Sequence, residues 1–331
     1  MSPLASSQTV ADIDTDVLIT GGGPCGLMLA IELGRRGIRC LLVDTKPETA
    51  FNPQANATQA RTMEHFRRLG FAEEVRALGL PPDHPTDIAY FTRYASHELA
   101  RICLPTAAEA VVKIKTMTGA WSAAELPHRV SQKFVEQVLR RHAQAPACND
   151  IRYGWTLTHF HDNGHAVQAH IEPTAGGPVQ TVRTRFLVGA DGARSFVRHA
   201  LGIPWDGETG VQREFMGGKM FAAYLRAPQF LSVLRHPKAW MYVAVNHERR
   251  SFMASVDGMA EYAFHAAIKP DDSVEVRSLE LPRGTIGRMR EHLLLFSTGI
   301  SRSGVTCVSV TWARLAARKV SRARCRCGAE M

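Results

Sequence analysis

The chain has 331 residues, of which 45% are hydrophobic and 21% charged, and its formal net charge is +9. Those totals describe a globular protein of about two domains, each able to bury its own core. Residues 283–331 hold ten Lys/Arg and two Glu, so the preceding 282 positions carry only +1; the basic surface expected of a nucleic-acid-binding fold is absent there, and no nucleic-acid partner is expected.

Seven cysteines (25, 40, 103, 148, 307, 325 and 327) form no framework spacing and fit reduced thiols. Cys325-x-Cys327 lacks the second pair that a metal site needs, so no metal is expected. No Lys or Arg precedes Arg35, which speaks against a secretory or transit leader. The uncharged run Val17–Ile31 is too short to span a bilayer and contains three consecutive glycines, so no transmembrane segment is expected. The expectation is a soluble, cytoplasmic protein.

In chain order, the first organised stretch is VLITGGGPCGLMLAIELGRRGIRCLLVD, residues 17–44. Thr15–Thr20 is a mostly apolar run, as a parallel strand covered on both faces requires. Gly21-x-Gly23-x-x-Gly26 follows at once. Gly21 permits a tight turn, Gly23 lets a pyrophosphate approach the backbone, and Gly26 lets the next helix pack close to the strand. A helix from Pro24 to about Arg36 carries Leu27, Ala30, Ile31 and Gly34 on one face. Pro24 is tolerated in its first turn, and the helix N-terminus offers N–H groups to an anion. Asp44 ends the second strand, where a carboxylate accepts hydrogen bonds from ribose hydroxyls. This βαβ unit predicts a dinucleotide site but does not separate NAD from FAD.

Two later stretches separate them. In NPQANATQARTMEHFRRLG, Asn52–Gly70, the residues Met63, Phe66 and Leu69 form a helical apolar stripe with Arg61 at the helix entrance. In TRFLVGADGARSFVRHALGI, Thr184–Ile203, a buried strand (Phe186, Leu187, Val188) runs into Asp191-Gly192, and Ser195 and Arg198 follow on a new helix. With the opening motif, these residues resemble the FAD-dependent aromatic hydroxylases related to p-hydroxybenzoate and phenol hydroxylases. Gly21, Gly23 and Gly26 match that family's ADP-binding fingerprint, with Asp44 where the family usually has Glu. Asp191-Gly192-x-x-Ser195-x-x-Arg198 matches its second motif, which touches FAD and assists NAD(P)H. Arg61 matches an Arg that contacts the cofactor, and Gln132, in RVSQKFVEQVLRRHA, matches a flavin-contacting Gln.

The resemblance, which runs from about residue 14 to about 270, implies an α/β protein. A Rossmann-like FAD-binding domain (14–85 and 120–202) would be interleaved with an antiparallel β substrate domain (86–119 and 203–270), followed by an atypical basic tail (271–331). Within it, AWMYVAVNHERRSFMASVDG alternates in two runs around the turn Asn246–Arg250, a hairpin by pattern. The implied function is an NAD(P)H-consuming monooxygenase that hydroxylates a phenol-like aromatic with molecular oxygen, through a flavin hydroperoxide. The cofactor-binding residues it implies are Gly21, Gly23, Pro24, Gly26, Asp44, Arg61, Gln132, Asp191 and Gly192. A non-catalytic FAD- or ADP-nucleotide-binding remnant and an NAD(P)-dependent reductase are the alternatives.

Other details are less determined. Phenol hydroxylases have an Asp in the segment that matches QANAT, where this chain has Asn56, which cannot take a proton. Tyr224, Tyr242 and His236 are the remaining candidates for that base, each with an ordinary structural role as its rival. His159, His161 and His165 read as a polar hairpin surface. The Gly-Asp motif with which family members continue is absent, since the chain contains no Gly-Asp dipeptide. No periodic pattern organises residues 283–331; that stretch reads as out-of-frame or mis-spliced sequence, rather than as a phosphate-binding arm or an ordinary solvated end. Weakened FAD binding and little turnover are the expected consequences.

Overall fold

The computed structural model describes residues 13–51, 55–118, 123–207, 220–247 and 250–267, and the backbone of 306–311. In chain order its elements are β1 (Ile13–Thr20), α1 (Pro24–Gly34), β2 (Cys40–Asp44), α2 (Ala60–Leu69), α3 (Ala72–Ala77), β3 (Ile88–Phe91), β4 (Glu98–Ile102), α4 (Ala107–Lys113), α5 (Gln132–Gln144), β5 (Asn149–Tyr153), β6 (Trp155–Asp162), β7 (Val167–Pro173), β8 (Gln180–Gly189), α6 (Phe196–Ala200), β9 (Met220–Arg226), α7 (Phe230–Val233), β10 (Met241–Val245), β11 (Arg250–Ser255), β12 (Glu261–Ala267) and β13 (Thr306–Thr311). They fall into two units: Met1–Gln54 with Gln132–Pro204, and Ala55–Ser131 with Trp205–Met331. The architecture is the expected mixed α/β fold, with two separate sheets. Residues 55–85 and 120–131, which the sequence reading groups with the cofactor domain, cluster with the second sheet.

In the first unit the strand order is β5-β2-β1-β8-β7-β6. The first four strands are parallel and the last two join them antiparallel. Parallel neighbours need crossover connections, and α1 supplies the one between β1 and β2. Asn149 ties three of these elements together: its amide donates to the carbonyls of Ala30 (2.9 Å) and Ala143 (2.8 Å), and its oxygen accepts from the Cys40 thiol (3.1 Å). Leu18, Leu41, Val43, Ile171 and Val182 form the core of the sheet.

One expectation fails here. The run Phe186–Val188 is not a buried strand: Phe186 is 58% exposed and its two neighbours are only half-buried. β8 borders the antiparallel β6–β7 hairpin rather than another crossover, and an antiparallel sheet needs cover on one face only. His159 and His161 lie on that hairpin and His165 in its turn, all three exposed.

The second unit has a seven-stranded sheet of order β13-β9-β12-β11-β10-β3-β4. The β10–β11 hairpin forms around the expected turn, and β3 and β4 from the 86–119 segment join the same sheet. Ala89, Tyr242, Met253, Phe264 and Ala223 are successive partners across five strands and lie on one face in the core. Phe230 meets Tyr242 and Tyr262 edge-on there, at centroid distances of 4.9 and 5.1 Å. The tail 271–331 lies outside the described residues except for β13, whose backbone pairs antiparallel with β9. A strand therefore forms inside a stretch that has no periodic pattern of its own; pairing partners, which local periodicity does not register, decide its state.

Candidate nucleotide and substrate sites

Short-range sterics build the first unit's site. Gly21 adopts φ 110°, a region L side chains avoid, and a Cβ there would also collide with the Ala190 carbonyl and lie 2.7 Å from the Asp191 nitrogen. A Cβ at Gly26 would collide with the Gly21 carbonyl oxygen, so α1 packs onto the turn only because residue 26 is glycine. Gly23 is different: nothing lies within 4 Å of where its Cβ would be. The turn thus has two glycines demanded by the protein's own packing and a third that faces open space. Gly23 is the N-cap of α1 and Pro24 begins it, with no acidic residue in the first turn. The free N–H groups and the helix dipole, about half a positive charge, stay unneutralised by that turn.

The two acidic turns flank this loop. The Asp44 carboxylate accepts from the N–H groups of Gly22 (2.6 Å) and Lys46 (2.8 Å). It therefore shapes the turn itself, and its remaining lone pairs are free for hydroxyl donors. Asp191 Oδ2 accepts from Phe196 N–H at 2.7 Å, whereas Asp191 Oδ1 is buried with no partner. Gly192 follows in a left-handed conformation, φ 80°. The Asp191 backbone nitrogen thus lies beside the opening glycine.

Gln132 and Arg61 each have a partner of their own. Gln132 donates to Glu136 at 2.7 Å within α5, and Glu136, almost fully buried, also accepts from Ala50 N–H at 2.8 Å. Arg61 belongs to the second unit; its side chain is 82% exposed and ion-paired with Glu64 at 2.8 Å.

Tyr153 is a residue the sequence reading missed. Its hydroxyl donates to the Gly22 carbonyl at 2.7 Å, and a Cβ at Gly22 would lie 2.9 Å from its ring. Burial, aided by the carboxylates of Asp44 and Glu136, holds this phenol well above its ordinary range, so it stays a donor. Its pairing with Asp44 across β5 and β2 brings it there.

The second unit's sheet turns its other face away from the core. One row reads Ile88, Met241, Ala254, Ala263, Tyr224, and the next Tyr90, Val243, Phe252, His265, Ala222. Alanines set between larger side chains make an apolar floor, and Leu80 and Trp240 pack with its first row. Phe252 and His265 stack on it, 4.4 Å apart and 15° from parallel. His265 Nδ1 is buried with no partner, and burial lowers its pKa to about 4, so the ring is neutral at pH 7. Of the earlier base candidates, Tyr242 faces the core and accepts from Ala239 N–H, with burial raising its pKa to about 12. His236 bonds the Ser96 carbonyl and lies against the core ring of Phe91. Tyr224 is on the floor but donates to Glu261, and burial raises its pKa far above 10. Neither tyrosine is poised to take a proton. Asn56, beside the short bridge between Thr58 and His128, keeps a buried Oδ1 with no partner.

Comparison with known proteins gives the chemistry of these sites a context. Residues 14–285 match the family described as FAD binding domain. Aklavinone 12-hydroxylase DnrF of Streptomyces peucetius is 33% identical over 254 residues, which cover 71% of this chain and 50% of that protein. 2,4-Dichlorophenol 6-monooxygenase of Cupriavidus pinatubonensis is 30% identical over 213 residues, 60% of this chain and 32% of that protein. The flavin-dependent monooxygenase PieE, solved with FAD and substrate, superposes with a TM-score of 0.74 at 27% identity, covering 91% of this chain and 50% of that one. The chain thus spans a third to a half of the length of such relatives. No helix among the described residues is long and apolar enough to cross a membrane.

Proposed function

We propose, from the premise that this chain belongs to the FAD binding domain family, that it is built for FAD-dependent hydroxylation of an aromatic substrate, with NAD(P)H as reductant and molecular oxygen as co-substrate. The observation that carries the reading is the glycine turn. Its outer glycine, Gly23, opens onto free space, the Asp191 backbone nitrogen lies beside its first glycine, and the Asp191 Oδ1 is buried with no partner. That cradle fits the ADP half of FAD.

When bound, FAD would supply the oxygen-activating chemistry that no side chain has. The chain's own groups would do the rest. The Gly23 backbone and the α1 N-terminus receive the pyrophosphate charge. Asp44 and Asp191 accept hydroxyl donors of the cofactor, and Tyr153 holds the turn from beneath. Gln132, with one N–H engaged by Glu136, keeps its Oε1 and second N–H for the flavin. The floor around Ala254, Ala263 and Ala222 takes a flat ring and keeps water from it. On that floor neutral His265 offers Nδ1 as acceptor to a substrate hydroxyl.

The test is direct. Full-length protein reconstituted with FAD is expected to oxidise NAD(P)H faster when a phenol is added, with hydroxylated product formed in step. A colourless preparation that rejects added FAD, or NAD(P)H oxidation indifferent to every phenol tried, would sink the reading.

A further inference from the structure

Two free thiols of the first unit, those of Cys40 and Cys148, lie far apart in the chain and are brought together by the fold. Cys40 opens β2 and pairs with Asn149, the first residue of β5, and its N–H donates to the Cys148 carbonyl at 3.1 Å. Strand alternation would turn the residue before Asn149 to the opposite side of the sheet. Cys148 escapes that rule because it lies in the turn between α5 and β5. Its sulfur is 3.6 Å from the Gly34 carbonyl at the end of α1, the helix to which the Asn149 amide also donates. Both sulfurs converge on one acceptor: Asn149 Oδ1 lies 3.1 Å from Cys40 Sγ and 3.9 Å from Cys148 Sγ.

Residues joined by a backbone hydrogen bond between neighbouring strands have Cα atoms inside the span of about 4.4–6.8 Å that a disulfide bridges. The two thiols differ in reach. Cys40 is 1% exposed, and burial, with Cys148 and Asp150 adding to it, pushes its thiol up to about 12. Cys148 is half-buried in its turn, so an oxidant in solvent meets it first. Cys25 belongs to the glycine turn and Cys103 to the second unit, both exposed.

We propose that Cys40 and Cys148 form a reversible oxidation site, a dithiol that closes to a disulfide when hydrogen peroxide reaches Cys148. In the first step the Cys148 sulfur attacks the peroxide: an S–O bond forms, the O–O bond breaks, and the thiol proton leaves with the departing oxygen as water. In the second, the Cys40 sulfur attacks the Cys148 sulfenic sulfur: an S–S bond forms, the S–O bond breaks, and the Cys40 proton completes a second water. Two thiols thus give two electrons and two protons to one peroxide. The bond joins the stretches Met1–Gln54 and Gln132–Pro204, which build the nucleotide unit and which residues 55–131 separate in the chain. This inference stands apart from the flavin reading, since no step in it involves FAD.

Peptide mapping of the full-length chain, alkylated after peroxide treatment, tests it. Trypsin leaves Cys40 in peptide 40–61 and Cys148 in peptide 142–152, each without another cysteine. The two are expected to be recovered joined, two hydrogens lighter than their sum, and to separate again on treatment with dithiothreitol. The bridged chain is expected to melt about 5 °C above the reduced one, because a bridge over so long a loop restricts mainly the unfolded chain. Cys148→Ser should leave Cys40 a thiol under the same treatment, and Cys40→Ser should let Cys148 go on to sulfinic acid. Cys148 reaching sulfinic acid in the unaltered chain while Cys40 still alkylates, or either thiol bridged to a different cysteine, would overturn the proposal. So would survival of both thiols in peroxide that oxidises Cys25, or a bridged chain that melts no higher than the reduced one. The unaltered chain decides the matter even if a variant fails to fold.

Discussion

Replacing Gly26 with alanine is expected to abolish nucleotide binding and to destabilise the protein, whereas replacing Gly23 with alanine is expected to weaken binding at least tenfold with little loss of stability. The two positions lie three residues apart in one motif but differ in what a methyl group would meet. At Gly26 it meets the Gly21 carbonyl, part of the turn's own backbone. Backbone cannot step aside as a side chain can, so overpacking there should cost about 3 kcal/mol or more. At Gly23 it meets nothing within 4 Å. The residue's φ of −80° and ψ of −176° are open to alanine, and the poorer N-cap costs only about 1 kcal/mol. The Gly23→Ala methyl would instead occupy the space where a pyrophosphate must approach. Thermal melts with ADP and FAD titrations on both variants separate the outcomes. A Gly23→Ala protein that binds like the unaltered chain would mean that the opening is not a ligand site.

Acid is expected to loosen the second unit well before its carboxylates are protonated. Burial sets the pKa of both His128 and His265 at about 4, against 6.5 for an ordinary histidine. Between those values the unfolded chain takes up protons that the folded one refuses, so stability is full above pH 6.5 and falls as the pH drops toward 4. At about 1.4 kcal/mol per pKa unit, each ring accounts for an effect on the order of 3 kcal/mol. His84, buried and bonded to the Ala239 carbonyl, shifts in the same direction. Lower still, protonation of Glu98 removes its bond to Arg101, because that pairing holds its pKa below the usual range. Melting temperature followed from pH 7 to pH 4 should fall steeply with a slope of at least two protons, and His265→Phe, which keeps a ring on Phe252, should remove about one. A melt unchanged between pH 7 and pH 5 would contradict the burial of these rings.

How much of this was legible in the sequence depends on whether the deciding partner is near in the chain. The β1–α1–β2 unit was readable because Gly21, Gly26 and Asp44 each answer a local steric or electrostatic demand. The β10–β11 hairpin was readable from alternation around its polar turn. Tyr153 was not, since β5 (NDIRY) is short and polar and becomes a strand by pairing with β2. Glu136 and Gln132 look like separate polar positions of α5 until Ala50 is brought to them. His265 reads as one more residue of an alternating strand, and only the register with Phe252 and Ala222 puts it on the floor. Phe186 misled for a related reason: an apolar run fits a strand covered on both faces, but the β6–β7 hairpin beside β8 changes what has to be covered.

Titrating ADP into the full-length chain tests most directly whether the glycine turn and the acidic turn make one cradle. The account predicts saturable binding at one site per chain, displaced by FAD and weakened at least tenfold by Gly23→Ala. Failure of both ADP and FAD to bind, or binding that Gly23→Ala leaves untouched, would contradict it.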